Sequence, residues 1–136
     1  MSKDFEQISL KPGFMKHNGG VLFKTISKEE YHFKTTIKEN HLNAAGITHG
    51  GFIAAFVDAG AGTAAHRSVD GSQCVTISLE LKFISTIRLG QELFGNTKIQ
   101  KKTKSMVFLT CKLTTKDKIV ATASGIWKIL DKKLAG

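Results

Sequence analysis

The sequence predicts an α+β domain in which one long helix lies against a single antiparallel sheet. Three observations predict it. Residues Gly50 to Arg67 form a proline-free stretch of Gly, Ala and large apolar residues, long enough for a helix and too long for an ordinary strand. Two segments, Tyr31 to Ile37 and Val75 to Phe83, alternate residue by residue between apolar and polar. Short connections at Lys102-Thr103-Lys104 and Lys116-Asp117-Lys118 join the last three strand-like runs into antiparallel hairpins.

The elements follow in chain order. A short helix is expected around Lys3 to Ser9, ended by Pro12-Gly13. Asn18-Gly19-Gly20 is a turn before a strand at Val21 to Ile26. Ser27 to Glu30 then turns the chain into the alternating strand that reaches Ile37. Thr48 is the expected cap of the Gly50–Arg67 helix. Apolar and small residues lie almost all round that helix, so it should be buried. Its four glycines each cost about 1 kcal/mol relative to Ala, so it needs tertiary support. Asp70-Gly71 turns the chain into four strands: Val75 to Phe83, Glu92 to Lys101, Met106 to Thr115 and Ile119 to Leu130. One helix covers only one face of such a sheet. Met106 and Phe108 sit opposite Val107, Leu109, Cys111 and Leu113, so some of that surface should meet another subunit.

Composition bounds the function classes. The chain has 136 residues, which suits one domain over residues 1–136 with residues 1–19 as a lead-in. Lys and Arg number 20 against 11 Asp and Glu, a net charge of +9, so anionic partners are favoured: nucleic acid, a membrane surface or a phosphorylated small molecule. The lysines do not cluster with aromatic residues, which makes a poor nucleic-acid footprint. No apolar run approaches the ~20 residues of a membrane span, and no secretory signal is visible. Cys74 and Cys111 stand alone, without C-x-x-C spacing. A cytoplasmic domain is the resulting expectation. The five histidines show no ligand spacing such as H-E-x-x-H, and Gly-x-Gly-x-x-Gly and Gly-x-Ser-x-Gly are absent. Neither a metal nor a cofactor is expected.

Asp58 is the chemical exception. It is the one charged residue between His49 and His66. Gly51, Ala55 and Gly62 share its helix face, which leaves room for a ligand or an opposing chain. An unpaired carboxylate on a buried helix costs several kcal/mol. Backbone N–H groups, or Arg67 or Arg88, could hold it instead. Gly50 and Gly51 uncover the N–H groups of the helix start, which suit an anion or a polarised carbonyl. A carboxylate two turns along the same helix would then stand near an oxyanion donor, a combination suited to acyl hydrolysis.

The run Asn43-Ala44-Ala45-Gly46-Ile47-Thr48-His49-Gly50-Gly51, followed by Asp58, resembles the hotdog-fold acyl-CoA thioesterases. Within them it is most similar to the phenylacetate-pathway (PaaI-like) branch, which also holds the small mammalian-type acyl-CoA thioesterases. The resemblance extends from about residue 20 to residue 130. It implies a hotdog fold, a sheet wrapped round one central helix, and hydrolysis of an acyl-CoA to free acid and CoA. It implies that Asp58 activates water or attacks the thioester, and that the Gly50 N–H polarises the carbonyl. Asn43 would position the thioester or the water. Thr76 stands where relatives place a hydroxyl that bonds the water, with Thr in place of the expected Ser. His49 would shape the turn into the helix more than move protons. The site would be shared across a homodimer, with dimers often paired into tetramers.

The resemblance also places Lys101, Lys102, Lys104 and Ser105, with the strand end from Phe83 to Arg88, along the CoA nucleotide and pantetheine. A solvated, charged hairpin is the plainer reading of that lysine run. Phe52, Phe56, Phe83 and Phe108 are candidates for a fatty-acyl tunnel or an aryl pocket, and the choice between them stays open. The alternative function is an acyl-CoA-binding protein of the same fold without turnover. A hotdog dehydratase would carry a His about five residues after its Asp, and Thr63 occupies that position.

Overall fold

The computed structural model describes residues 5–130. In chain order its elements are β1 (Glu6–Gln7), α1 (Phe14–His17), β2 (Leu22–Thr25), β3 (Glu30–Thr36), α2 (Gly50–Ser68), β4 (Cys74–Phe83), β5 (Glu92–Lys102), β6 (Met106–Thr115) and β7 (Lys118–Ile129). The strands form one seven-stranded sheet in the order β1-β2-β3-β5-β6-β7-β4, and every neighbouring pair is antiparallel. With α2 laid across one face, this is the expected α+β layout and the hotdog architecture. The expected helix at Lys3 to Ser9 is not formed over its described part. Residues 1–4 lie outside the described residues, and Glu6–Gln7 pairs with Leu22–Phe23 instead. The short helix comes after Pro12-Gly13 rather than before it.

Alternation buries the inner face. Tyr31 and Phe33 on β3, Leu93 on β5, Val107, Leu109, Cys111 and Leu113 on β6, and Ala121, Ala123 and Trp127 on β7 meet Phe52, Ile53, Phe56, Val57 and Ala61 of α2. Small residues let helix and sheet approach. A Cβ at Gly60 would stand 2.2 Å from the Phe33 ring, so the core closes around that glycine.

The sheet register breaks at three places, and the bulges in β4 and β5 redirect side chains near the helix. In β4, Thr76 pairs with Trp127 but Ser78 pairs with Ile126, which leaves Ile77 as the extra residue. Strict alternation would point Thr76 away from the face that carries Leu79. The bulge turns both to the helix side, since Trp127 and Gly125, their partners, share that face. In β5, Ile99 pairs with Leu109 and Lys101 with Phe108, so Gln100 is extra and Lys102, opposite Val107, turns toward the helix. β4 is the sheet's edge, paired by β7 alone. Val75, Ile77 and Phe83 on it, and Ile84 just beyond, are exposed in the single chain.

Candidate active site

The start of α2 is strapped down on both sides. Thr48 does not cap the helix. Its hydroxyl and its N–H both go to the Ile87 carbonyl, at 2.7 and 3.0 Å. His49 is the cap: its Nδ1 accepts the Gly51 N–H at 2.8 Å, and its own N–H goes to the His41 carbonyl. His41 is buried, stacked 3.8 Å from Phe52, with Nδ1 accepting from Lys38 N–H and Nε2 donating to the Asn18 carbonyl. His49 therefore shapes the turn. It leaves the Gly50 N–H, at the first helical position, without a bond among the described residues.

Asn43 builds the loop ahead of this start. Its Oδ1 accepts the N–H groups of Ala45 and Ile47, at 2.9 and 3.3 Å, which is an Asx turn. That orientation leaves its amide nitrogen unbonded among the described residues. Asn43, Gly50 and Phe83 line one cavity of about 290 Å³, together with Ile53 and the Ile84–Ile87 segment. The Phe83 ring lies 3.5 Å from where a Gly50 Cβ would be. Arg88 is exposed and does not line this cavity; its N–H is taken by Gln91.

Asp58 belongs to a different cavity. It and Thr76 line a recess of about 570 Å³ with Gly62, Thr63, His66, Cys74 and Trp127. Asp58 is exposed in the single chain, not buried as the pattern round the helix suggested. Neither arginine holds it: Arg67 is paired with Glu6 and Thr25. Its partner is the Thr76 hydroxyl, which donates to Oδ1 at 2.6 Å. Eight residues of helix separate Gly50 from Asp58, about 12 Å of rise. The Gly50 N–H and the Asp58 carboxylate are thus not neighbours within one chain. Thr76 and Phe83 are likewise seven residues apart on β4, about 23 Å. Two separate cavities thus lie toward opposite ends of the edge strand.

The lysine hairpin lies at the Asp58 end. Met106 pairs with Lys128, and Cys74 with Ile129, so the β5–β6 turn sits beside the start of β4 and opposite the Phe83 end. Lys102 is engaged: its ammonium donates to the Ser68 carbonyl, the last residue of α2, at 2.8 Å. Lys101, Lys104 and Ser105 are exposed. Of the four candidate phenylalanines, Phe52 and Phe56 are core residues, and Phe108 lines a recess on the sheet's outer face. Of the four, Phe83 alone lines the cavity of Asn43 and Gly50.

Trp127, His66 and Cys74 were not among the sequence's candidates. Gly62, one turn after Asp58, was the available signal for an opening there. The sheet register that sets Trp127 beside Thr76 has no trace in the letters. Burial pushes the Cys74 thiol above its ordinary range, so it is protonated and poorly nucleophilic at neutral pH. Among the described residues, no helix is long and apolar enough to cross a membrane.

Comparison with known proteins gives this geometry a family. The thioesterase superfamily model matches residues 45–122, more than half of the chain. A Pseudomonas aeruginosa protein, PA0474, whose name places it among esterases, is 34% identical over 94 residues, covering 68% of this chain and 70% of that one. Mouse acyl-coenzyme A thioesterase 13 is 27% identical over 105 residues, covering 77% and 75%. The structure of a mutant of the phenylacetic acid degradation protein PaaI from Thermus thermophilus superimposes with a TM-score of 0.77 at 19% identity, covering 86% and 98%. With a hotdog sheet, a glycine-opened helix start and a matching family model, the chain belongs to the thioesterase superfamily.

Proposed function

We propose that the protein hydrolyses an acyl-CoA thioester to the free acid and CoA, at a site that two copies of the chain complete. The observation that carries this reading is the hydrogen-bonded Asp58–Thr76 pair, open to a cavity large enough for an acyl group. Asp58 activates a water, or attacks the thioester carbon directly. Water attack expels CoA thiolate and gives the acid at once; carboxylate attack expels CoA thiolate and gives a mixed anhydride that a water then opens. In either route the Gly50 N–H stabilises the developing oxyanion, and the Asn43 amide nitrogen positions the thioester.

Within one chain these groups are too far apart to act together. Antiparallel pairing of β4 with a second β4, about a two-fold axis near Leu79 and Glu80, sets Thr76 opposite the partner's Phe83. The Asp58 half of each chain then faces the Asn43–Gly50 half of the other. Free backbone on the β4 edge and the exposed Val75, Ile77 and Ile84 support this arrangement. It also sets the Lys101–Ser105 turn of one copy near the Phe83–Arg88 segment of the other, where a CoA nucleotide could meet both.

Asp58→Asn tests the reading. Thiol release from acyl-CoA should fall by at least about 100-fold, while CoA-ester binding, measured separately by calorimetry, persists. Undiminished hydrolysis in that variant excludes the mechanism. Binding with no turnover in the unmodified protein would favour an acyl-CoA-binding role instead.

A further inference from the structure

The Asp58 cavity holds several hydrogen-bond donors, and nearly all are engaged. The Thr76 hydroxyl donates to Asp58. The Thr63 hydroxyl donates to the Ala59 carbonyl at 2.8 Å. His66 Nδ1 lies 2.8 Å from the Ser72 carbonyl oxygen, which only accepts, so Nδ1 carries the proton. Apart from the exposed Gln73 amide, one side-chain donor is left.

That donor is the indole N–H of Trp127. The residue is 1% exposed and lines this cavity. Its nitrogen makes no hydrogen bond among the described residues. Among all the described residues, the unpartnered side-chain atoms sealed from solvent are Asn96 Oδ1 and Thr97 Oγ1. The indole nitrogen is not one of them, so it opens onto the cavity. Gly62 makes the opening: a Cβ at that position would stand 3.3 Å from Nε1. Buried indole N–H groups find an acceptor as a rule, and the described residues of the single chain supply none here.

Resting on the hydrolase reading, we propose that Trp127 sets acyl-group specificity, its N–H binding a hydroxyl or keto oxygen carried by the acyl group. The thioester carbonyl is not that acceptor, because the Gly50 N–H of the opposing half-site takes it. The acceptor therefore belongs to the acyl chain beyond the thioester. A saturated chain of equal length that displaces the water there leaves the N–H without a partner. Such a site discriminates against the analogue that lacks the polar atom.

The test compares kcat/KM for butanoyl-CoA with its 3-hydroxy, 4-hydroxy and 3-keto counterparts, using the full chain. At least one oxygenated ester should be preferred roughly tenfold, the ratio one neutral hydrogen bond supplies. Trp127→Phe keeps a ring but removes the donor, and should bring that ratio to about one. Gly62→Ala covers the same nitrogen with a methyl group from the other side and should do likewise. No preference in the unmodified protein, or a preference that survives both substitutions, overturns the inference and leaves the hydrolase reading standing. Failure to cleave these four esters together with hexadecanoyl-CoA and phenylacetyl-CoA overturns the hydrolase reading itself.

Discussion

Thr76 on β4 and Asp58 on α2 are joined by a 2.6 Å hydrogen bond, with the hydroxyl donating to the carboxylate. The bulge at Ile77 makes that bond geometrically available. The bond fixes one carboxylate oxygen, so the other is left to meet a water or a thioester carbon in a defined direction. Hydrogen bonds to charged groups contribute about 1.5–3 kcal/mol. Thr76→Val should therefore lower kcat by roughly 10- to 100-fold. Thr76→Ser, which keeps the hydroxyl, should stay within about threefold. Thr76→Ser should also leave the melting temperature within a degree or two, whereas Thr76→Val, which gives up the bond, should melt a few degrees lower. Equal losses in the Val and Ser variants would mean that the hydroxyl is not what matters.

Separation of the half-sites gives a sharper test through subunit mixing. Asp58→Asn damages one half-site of a chain and Asn43→Ala the other. Each variant alone should be nearly inactive. Mixed by co-refolding, half of the dimers are heterodimers at random, and each holds one site built wholly from intact residues. Activity should then recover to about a quarter of the unmodified level. A site contained within one chain predicts no recovery at all, because every chain in the mixture carries a lesion.

The sequence is legible where local pattern alone decides structure. The helix is expected at Gly50 to Arg67 and found at Gly50–Ser68, because Gly-Ala packing and the absence of proline leave no competing element. The β5–β6 and β6–β7 hairpins are legible for the same reason. Pairing properties are not. Val75, Ile77, Leu79 and Leu81 alternate without a break, so nothing in the letters marks Ile77 as a bulge. That single residue decides whether Thr76 can touch Asp58. The edge position of β4 is hidden as well, since an apolar strand that waits for a partner has the same composition as one buried in the core. Asp58 is legible as the one charged residue between His49 and His66, but its exposure depends on how the helix lies across the sheet.

The lysines divide by what the bulge at Gln100 does to them. Lys102 turns inward and donates to the Ser68 carbonyl at the C-terminal end of α2, where a cation also complements the helix dipole. Lys102→Met should lower stability by about 0.5–1.5 kcal/mol and leave KM unchanged. Lys101 and Lys104 are exposed. Replacing both by Ala should leave the melting temperature in place and raise KM for a CoA ester by roughly 3- to 10-fold at low salt. The effect should fade as salt screens the 3′-phosphate. Steady-state kinetics at two ionic strengths, beside thermal melts, separates the roles.

Cys111 provides a check on the core that is independent of any activity. It sits under α2, and burial pushes its thiol from the usual 9.0 up to about 11. A raised thiol pKa means that the unfolded chain ionises first. The stabilising effect is complete below pH 9, declines as pH rises toward 11, and is lost above that. Two units correspond to about 2–3 kcal/mol. Cys111→Ala removes this slope but leaves a small void, with a pH-independent loss of about 1 kcal/mol. Denaturant unfolding between pH 8 and pH 11 should therefore show the two proteins converging, and the variant overtaking near the top of that range. Curves that stay parallel would place the Cys111 sulfur in contact with water, and would contradict a closed interface between α2 and β6.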